Sequence, residues 1–364
     1  RDEDHKIQGE WWPVSVFCSN CNRDTTDIDG WDGEWGLSYH CETCGFKEKG
    51  DIRTLKGAKL LWRVDWPMRW AYEKVDFEPA GKDHHSQGGS FDTSKHVVEE
   101  VYGRKPPVTF RYDFIGIKGS PGKMSSSKGK VVDLQDLLRV YQPEIVRYLF
   151  AGTRPNTEFV ISFDLDVIKI YEDYDRTERI YWGVEKAKNK EVEALERRIY
   201  ELSQVGKTPE EMPYQVPFRH LCNLLQIHLG NIDAVLSLLP GLKPSQEARV
   251  RRRAQCAWYW ITECAPEDFR FFLRKPGELA ALSEEETNAL RRLRDEVIER
   301  LDAYDSENEI AEAIYAVAQA SNIEPKKLFI AAYQALIGKD QGPRLAGFLR
   351  TLGKEKVLSI LKPY

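Results

Sequence analysis

Residues 114–132 contain no acidic side chain, and within them Lys118, Lys123, Lys128 and Lys130 fall among Gly116, Gly119, Gly122 and Gly129. Glycine at that density disfavours a helix, so the stretch reads as a cationic loop whose backbone amides can approach a ligand closely. Serine hydroxyls at Ser125, Ser126 and Ser127 add hydrogen-bond donors. Such a loop suits phosphate: its lysine ammoniums can neutralise charge that grows on a departing pyrophosphate. The lysine count alone fits a solvated basic loop equally well, and it is the order Lys123-Met124-Ser125-Ser126-Ser127-Lys128 that narrows the reading.

A second chemistry lies upstream. Cys18 and Cys21 form one CxxC pair, and Cys41 and Cys44 form another after nineteen intervening residues. Two such knuckles at this separation have the spacing of a tetrahedral structural Zn2+ site, with no position left for catalytic water. Asn22 and Gly45 directly follow the two pairs and supply the turn-forming residues a knuckle needs. Trp31, Trp35 and Tyr39 provide β-forming bulk between them, as in a zinc ribbon. His40 is a bystander beside Cys41 by this reading.

Between these features, Phe77 leads through Gly81-Lys82-Asp83-His84-His85, a short apolar entry followed by a polar cluster. That is the pattern of a parallel-strand carboxyl end, where open α/β sheets bind ligands. Gly81 would allow close backbone contact with a nucleotide, and Asp83 can accept bonds from ribose hydroxyls. Alone, the sequence also fits an exposed turn. Farther on, Arg251-Arg252-Arg253, Trp258-Tyr259-Trp260 and Arg270-Phe271-Phe272 fit a basic, aromatic surface for unstacked bases, although half of these aromatics at helical spacing would be core.

The elements that must hold these residues change character along the chain. Residues 51–115 read as α/β, with a strand ending near Pro67, a helix at 94–102 and a strand at 108–117 feeding the lysine-rich loop. From Asp133, a capping residue, the period becomes helical, and Pro143 fits the first turn of the next helix. Dense mixed charge over residues 166–204 reads as a solvated face, and residues 207–217, with three prolines, as a linker. Helices are expected near 218–239, 245–264, 283–303, 308–320, 325–337 and 343–362. Net charge is −5, so nucleic-acid binding would need local patches. No apolar run approaches membrane-spanning length, and the paired cysteines point to a reducing compartment, hence the cytoplasm.

The Lys123–Lys128 order resembles the second signature loop of class I aminoacyl-tRNA synthetases, Lys-Met-Ser-Lys-Ser in its usual form. Ser126 stands where the family's second lysine usually sits, and that variant looks like the one in class I lysyl-tRNA synthetases of the archaeal type. Gly81-Lys82-Asp83-His84 resembles the family's nucleotide-side strand end. Gly88-Gly89-Ser90-Phe91-Asp92 looks like the lysyl and glutamyl branch, and residues 336–345 resemble the lysyl terminal segment. The resemblance implies a Rossmann-type α/β catalytic domain with a zinc-ribbon-like insertion and an all-α anticodon-binding domain. It implies ATP-dependent activation of L-lysine and transfer to tRNA(Lys), with Mg2+ accompanying ATP. Gly81, Asp83, Lys123 and Met124 would lie on the ATP side. For the lysine pocket, Trp62 and His84 are the expected walls and Asp65 the polar partner; the tryptophans equally read as core.

The expected division is a zinc-binding insertion at 1–50, the second half of the catalytic domain at 51–132, a helical stem-contact region at 133–215 and an anticodon-binding domain at 216–364. The family's first signature, of His-Ile-Gly-His type, is not found here, so the expectation is a chain that lacks on the order of 150 residues of nucleotide-binding fold, inactive alone and monomeric. Two alternatives remain: another class I synthetase, glutamyl-like, or a tRNA-binding fragment without activation activity.

Overall fold

The computed structural model of the chain describes residues 11–119 and 132–364. The loop residues Lys123, Met124, Ser125, Ser127 and Lys128 lie outside the described residues. Strands β1 (Val14–Val16), β2 (Thr26–Trp31), β3 (Gly36–Cys41), β4 (Lys47–Asp51), β5 (Ala58–Leu60), β6 (Ala80–Gly81) and β7 (Arg111–Tyr112) carry the first part of the chain. β2, β3 and β4 form an antiparallel sheet, and β1 pairs antiparallel with β5. Along β3 burial alternates, so Leu37, Tyr39 and Cys41 are buried, and Leu37 and Tyr39 cluster with Val16. β6 and β7 are parallel, with Ala80 opposite Arg111 and Gly81 opposite Tyr112, extended by a bridge between Phe77 and Val108.

Helix Trp62–Tyr72 replaces the strand expected up to Pro67. Its N-cap, Leu61, is extended, and the i, i+4, i+8 spacing of Trp62, Trp66 and Trp70 puts three indoles on one face. Trp66 and Trp70 are buried with Ala80, Phe91 and Val98. Pro67 sits inside this helix and costs it one backbone bond, which packing of the tryptophan face offsets. The next helix starts at Ser90 rather than Ser94 and runs to Glu100, and the strand expected over 108–117 is two short pieces separated by Asp113 and Phe114.

The described chain forms two compact units: one ends at Ile115 and includes Pro155–Phe159, and the other holds Gly116–Arg154 and Val160–Tyr364. The second unit is helical. Asp133 closes a capping box with Asp136 at the start of Leu134–Val140, and Pro143 opens Pro143–Ala151. Later expectations break where backbone geometry demands it: 218–239 is two helices, Phe218–Ile227 and Ile232–Ser237, and 343–362 splits into Leu345–Leu352 and Lys354–Leu361 around Gly353 at φ +79°.

Residues 166–204 correct the reading of a merely solvated face. Asp175 and Glu178 are 3% and 1% exposed. The Arg253 guanidinium donates to both Asp175 carboxylate oxygens at 2.8 and 2.6 Å, and Arg249 reaches Glu178 at 2.8 Å. Gln215, in the proline-rich stretch, donates to the Asp175 carbonyl and the Glu178 carboxylate, so that segment is pinned. Among the described residues, no helix is long and apolar enough to cross a membrane.

Candidate active-site turn and metal centre

The cysteine centre is built by local turns. Cys18 and Cys21 precede β2, and Cys41 ends β3 with Cys44 in the following turn. In each knuckle the residue after the second cysteine is left-handed, Asn22 at φ 56° and Gly45 at φ 70°, and its amide bonds to the first cysteine's carbonyl at 2.8 Å. The four sulfurs lie within 4.8 Å of one another, with Cys18–Cys44 at 3.6 Å and Cys21–Cys41 at 3.7 Å. Thiolates around tetrahedral zinc are separated by about 3.8 Å at a Zn–S distance of about 2.3 Å, so the residues fit a metal.

Backbone amides also favour thiolate here. The Phe46 amide and the Asn20 side chain hold Cys44 below the usual thiol range. Burial pushes Cys41 up, yet the amides of Cys44 and Thr43 leave it lowered to about 6. The Tyr39 hydroxyl donates to Glu48 at 2.6 Å and accepts from the Ser19 amide at 3.1 Å, fixing the first knuckle against the sheet. His40 stands apart: its Nδ1 is 2.6 Å from Asp29.

The second site is the turn after β6. Gly81 is buried, with the Tyr112 ring 3.5 Å from where a Cβ would stand. The chain then folds back through residues 82–89. The His84 amide donates to the Gly81 carbonyl at 3.0 Å, and the Phe91 amide donates to the His84 carbonyl at 2.9 Å, tying the turn to the start of helix Ser90–Glu100. A Cβ on Gly89 would meet the carbonyl oxygens of His84, Asp83 and Ser86 at 2.5–2.8 Å, so only glycine fits. His85 stacks on Phe91 at 4.7 Å and its Nε2 lies 3.1 Å from Thr109 Oγ1. Asp83 is exposed on this turn.

Sequence reasoning missed Lys82. Its ammonium lies 2.6 Å from Asp113 and 3.7 Å from Glu158, and 4.7 Å over the Phe114 ring. The bond to Asp113 raises the lysine and holds the Asp113 carboxyl below its ordinary range. The only sequence signal was Lys82's place between Gly81 and Asp83, which does not reveal partners on other segments.

Trp62 and Asp65 lie on one helix and line a cavity of about 410 Å3 with Ser15, Lys59 and Arg69. Asp65 is already paired with Arg69 at 2.7 Å. His84 is not among that cavity's walls; it is reached through Trp66, whose ring stacks on Trp62 at 5.2 Å and meets His84 edge-on at 5.4 Å. Trp66 and Phe91 are thus the packing centre of the cluster.

The basic and aromatic stretches are split by burial: Arg253, Trp260 and Phe271 are buried, whereas Arg252 and Phe272 are exposed. Arg253 is committed to Asp175, Arg251 to Asp233 and Glu247, and Arg252 to the Leu138 carbonyl. Trp260 is fully buried and donates to the Phe163 carbonyl, and Phe271 is buried. A different cluster emerges in the same unit: a cavity of about 840 Å3 lined by Arg219, His220, Asn223, Phe269, Glu307 and Arg344 among others. Neither Arg219 nor Arg344 has an ion-pair partner among the described residues.

Comparison with known proteins gives this arrangement its family. A family model for "tRNA synthetases class I (K)" matches residues 1–206, and one for an anticodon binding domain matches residues 262–363. The chain belongs to the class I tRNA synthetases. Within that class its relatives are lysine–tRNA ligases: it is 56% identical over its whole length to the enzyme of Treponema pallidum, covering 69% of that protein. Identity is 50% with the Borreliella burgdorferi enzyme, over 99% of this chain and 68% of that one, and 42% with the archaeal Thermococcus kodakarensis enzyme, over 98% and 68%.

Proposed function

We propose that this chain performs the nucleotide-side and tRNA-side work of a lysine–tRNA ligase. Lysine carboxylate attacks the ATP α-phosphate to form lysyl-adenylate as pyrophosphate leaves, and a ribose hydroxyl of the terminal adenosine of tRNA(Lys) then takes the lysyl group as AMP leaves. The observation that carries the reading is the Gly81–Gly89 turn at the end of a parallel strand, in a chain of this family. Gly81 admits the nucleotide, Asp83 accepts ribose hydroxyls, and Lys123 and Lys128, beside Met124, neutralise the leaving pyrophosphate, with Ser125 and Ser127 shaping the loop. Trp62 and Asp65 line the cavity that takes the lysine stem, with His84 acting on it from behind Trp66 and Asp65 supplying the acid; the pairing of Asp65 with Arg69 means the substrate ammonium competes with a guanidinium. Mg2+ accompanies ATP, because clustered phosphate oxygens need a counter-charge. Cys18, Cys21, Cys41 and Cys44 hold a structural Zn2+ that organises β2, β3 and β4.

Lysine-dependent exchange of pyrophosphate into ATP, measured on the full-length protein, tests this reading. Exchange with lysine alone supports it; exchange with another amino acid keeps the class and overturns the substrate. Lys123→Ala is expected to slow single-turnover activation by about 10²–10³, the cost of losing one transition-state donor, and an unchanged rate removes that role.

The cavity around Arg219 and Arg344 is where we place tRNA contact in residues 216–364. Unpaired guanidiniums suit phosphate, and Phe269 offers a face for a base. Replacing both arginines with alanine should raise KM for tRNA(Lys) about tenfold or more, the range for losing two charge-assisted contacts, while tRNA-independent exchange stays at the wild-type rate.

A further inference from the structure

We infer that Lys82 is a positioning residue for activation, which clamps the nucleotide turn to two other chain segments instead of contacting ATP phosphate. The inference rests on the reading of the Gly81–Gly89 turn as the nucleotide site. A lysine between Gly81 and Asp83 invites assignment to the triphosphate, but its geometry commits it elsewhere. The ammonium is 2.6 Å from Asp113 and 3.7 Å from Glu158, and 4.7 Å from the Phe114 ring centre. Its own amide donates to the Tyr112 carbonyl at 2.9 Å, so main chain and side chain are held together.

The acceptor is anchored in turn. The Asp113 side chain is 14% exposed and accepts from the Phe114 amide at 2.8 Å, and the Asp113 amide donates to the Pro155 carbonyl at 2.8 Å. Lys82 therefore joins the turn to residues 111–114 and 155–158. An ammonium shared by two carboxylates and an aromatic face has little left for a phosphate, and moving it would leave two carboxylates uncompensated beside a polyanion. Its contribution is to hold Asp83 and His84 in place and to cancel that negative charge.

A double-mutant cycle on Lys82 and Asp113, read by lysine-dependent pyrophosphate exchange in the full-length protein, tests this. Lys82→Met should raise KM for ATP and lower kcat, with kcat/KM for ATP falling about 10²-fold, as for an ångström-scale misplacement. Lys82→Arg, which keeps the charge and reaches both carboxylates, should restore most of the loss. Because Lys82 acts through Asp113, the Lys82→Met/Asp113→Asn double variant should be no worse than Lys82→Met alone. Independent losses that multiply in the double variant would overturn the inference, because a direct phosphate ligand does not depend on Asp113. Should Lys82→Met fail to fold, Asp113→Asn decides: a loss in kcat/KM for ATP supports the clamp, and wild-type kinetics overturns it. Wild-type protein without lysine-dependent exchange would instead refute the reading of the site.

Discussion

At the scale of single residues, side-chain chemistry proposes a role and the neighbours decide it. Asp65 has the chemistry of an acid for an ammonium, yet it lies one helical turn from Arg69 and is already paired. Lys82 has a phosphate-binding type and a carboxylate environment. Gly89 is the clearest case of a residue defined by what surrounds it, since three carbonyl oxygens converge where a Cβ would stand. Gly89→Ala should force the turn open. Lysine-dependent exchange is expected to fall at least about 10²-fold, as for an ångström-scale displacement, with helicity by circular dichroism and metal content unchanged. Retained exchange would show that the turn relaxes without consequence.

At the scale of elements, the cysteine module is the part whose stability depends most on one centre. Among the described residues, Val16, Leu37 and Tyr39 form its buried apolar cluster, with Val14, Ile28, Ile52, Leu55 and Ala58 partly buried against it, a small core for holding β2, β3 and β4 by burial alone. Cys18→Ser should release the bound metal and expose this sheet to proteolysis, and a strong chelator should do the same to the wild type; a stable metal-free module contradicts the zinc assignment. A second element is held by charge. Lys118 reaches Asp164 at 2.8 Å and Asp166 at 2.5 Å, and with the Ser162 hydroxyl it lowers the Asp164 carboxyl to about 2. A carboxyl depressed in the folded state stabilises above its unfolded pKa, and that stability is lost as pH falls from about 4 towards 2. Both partners are more than a third exposed, so the effect is small and weakened by salt. Lys118→Met should therefore lower stability slightly near neutrality and flatten the acid limb, the variant and wild-type profiles converging as pH falls towards 2.

At the scale of the whole molecule, the helical unit is organised around buried charge as well as apolar packing. Asp175 and Arg253 are 78 residues apart in sequence and almost fully buried together, with the guanidinium also facing Tyr171 at 4.9 Å. Asp175→Ala leaves a buried arginine without its partner and should destabilise the protein by about 3–5 kcal/mol, read as a lowered denaturation midpoint. An unchanged midpoint would mean that water reaches Arg253.

Features controlled at short range could be read from the residues alone. The two knuckles, with Asn22 and Gly45 as their left-handed residues, the Asp133 capping box and the helix opened by Pro143 all rest on residues at most four apart, so neighbours in sequence are enough to specify them. The change from α/β to helical was legible for the same reason, and the motifs were enough to name the class. Tertiary structure decided which charges face solvent. Arg253 and Trp260 look like an RNA surface in a list of residues and are core in the fold, while Arg219, in no motif, meets Arg344 of the terminal segment at a cavity. Lys82 found Asp113 and Glu158 only because parallel pairing of β6 with β7 brings distant segments side by side. Burial and ion pairing depend on contacts far apart in the chain, and no local pattern of residue types encodes them.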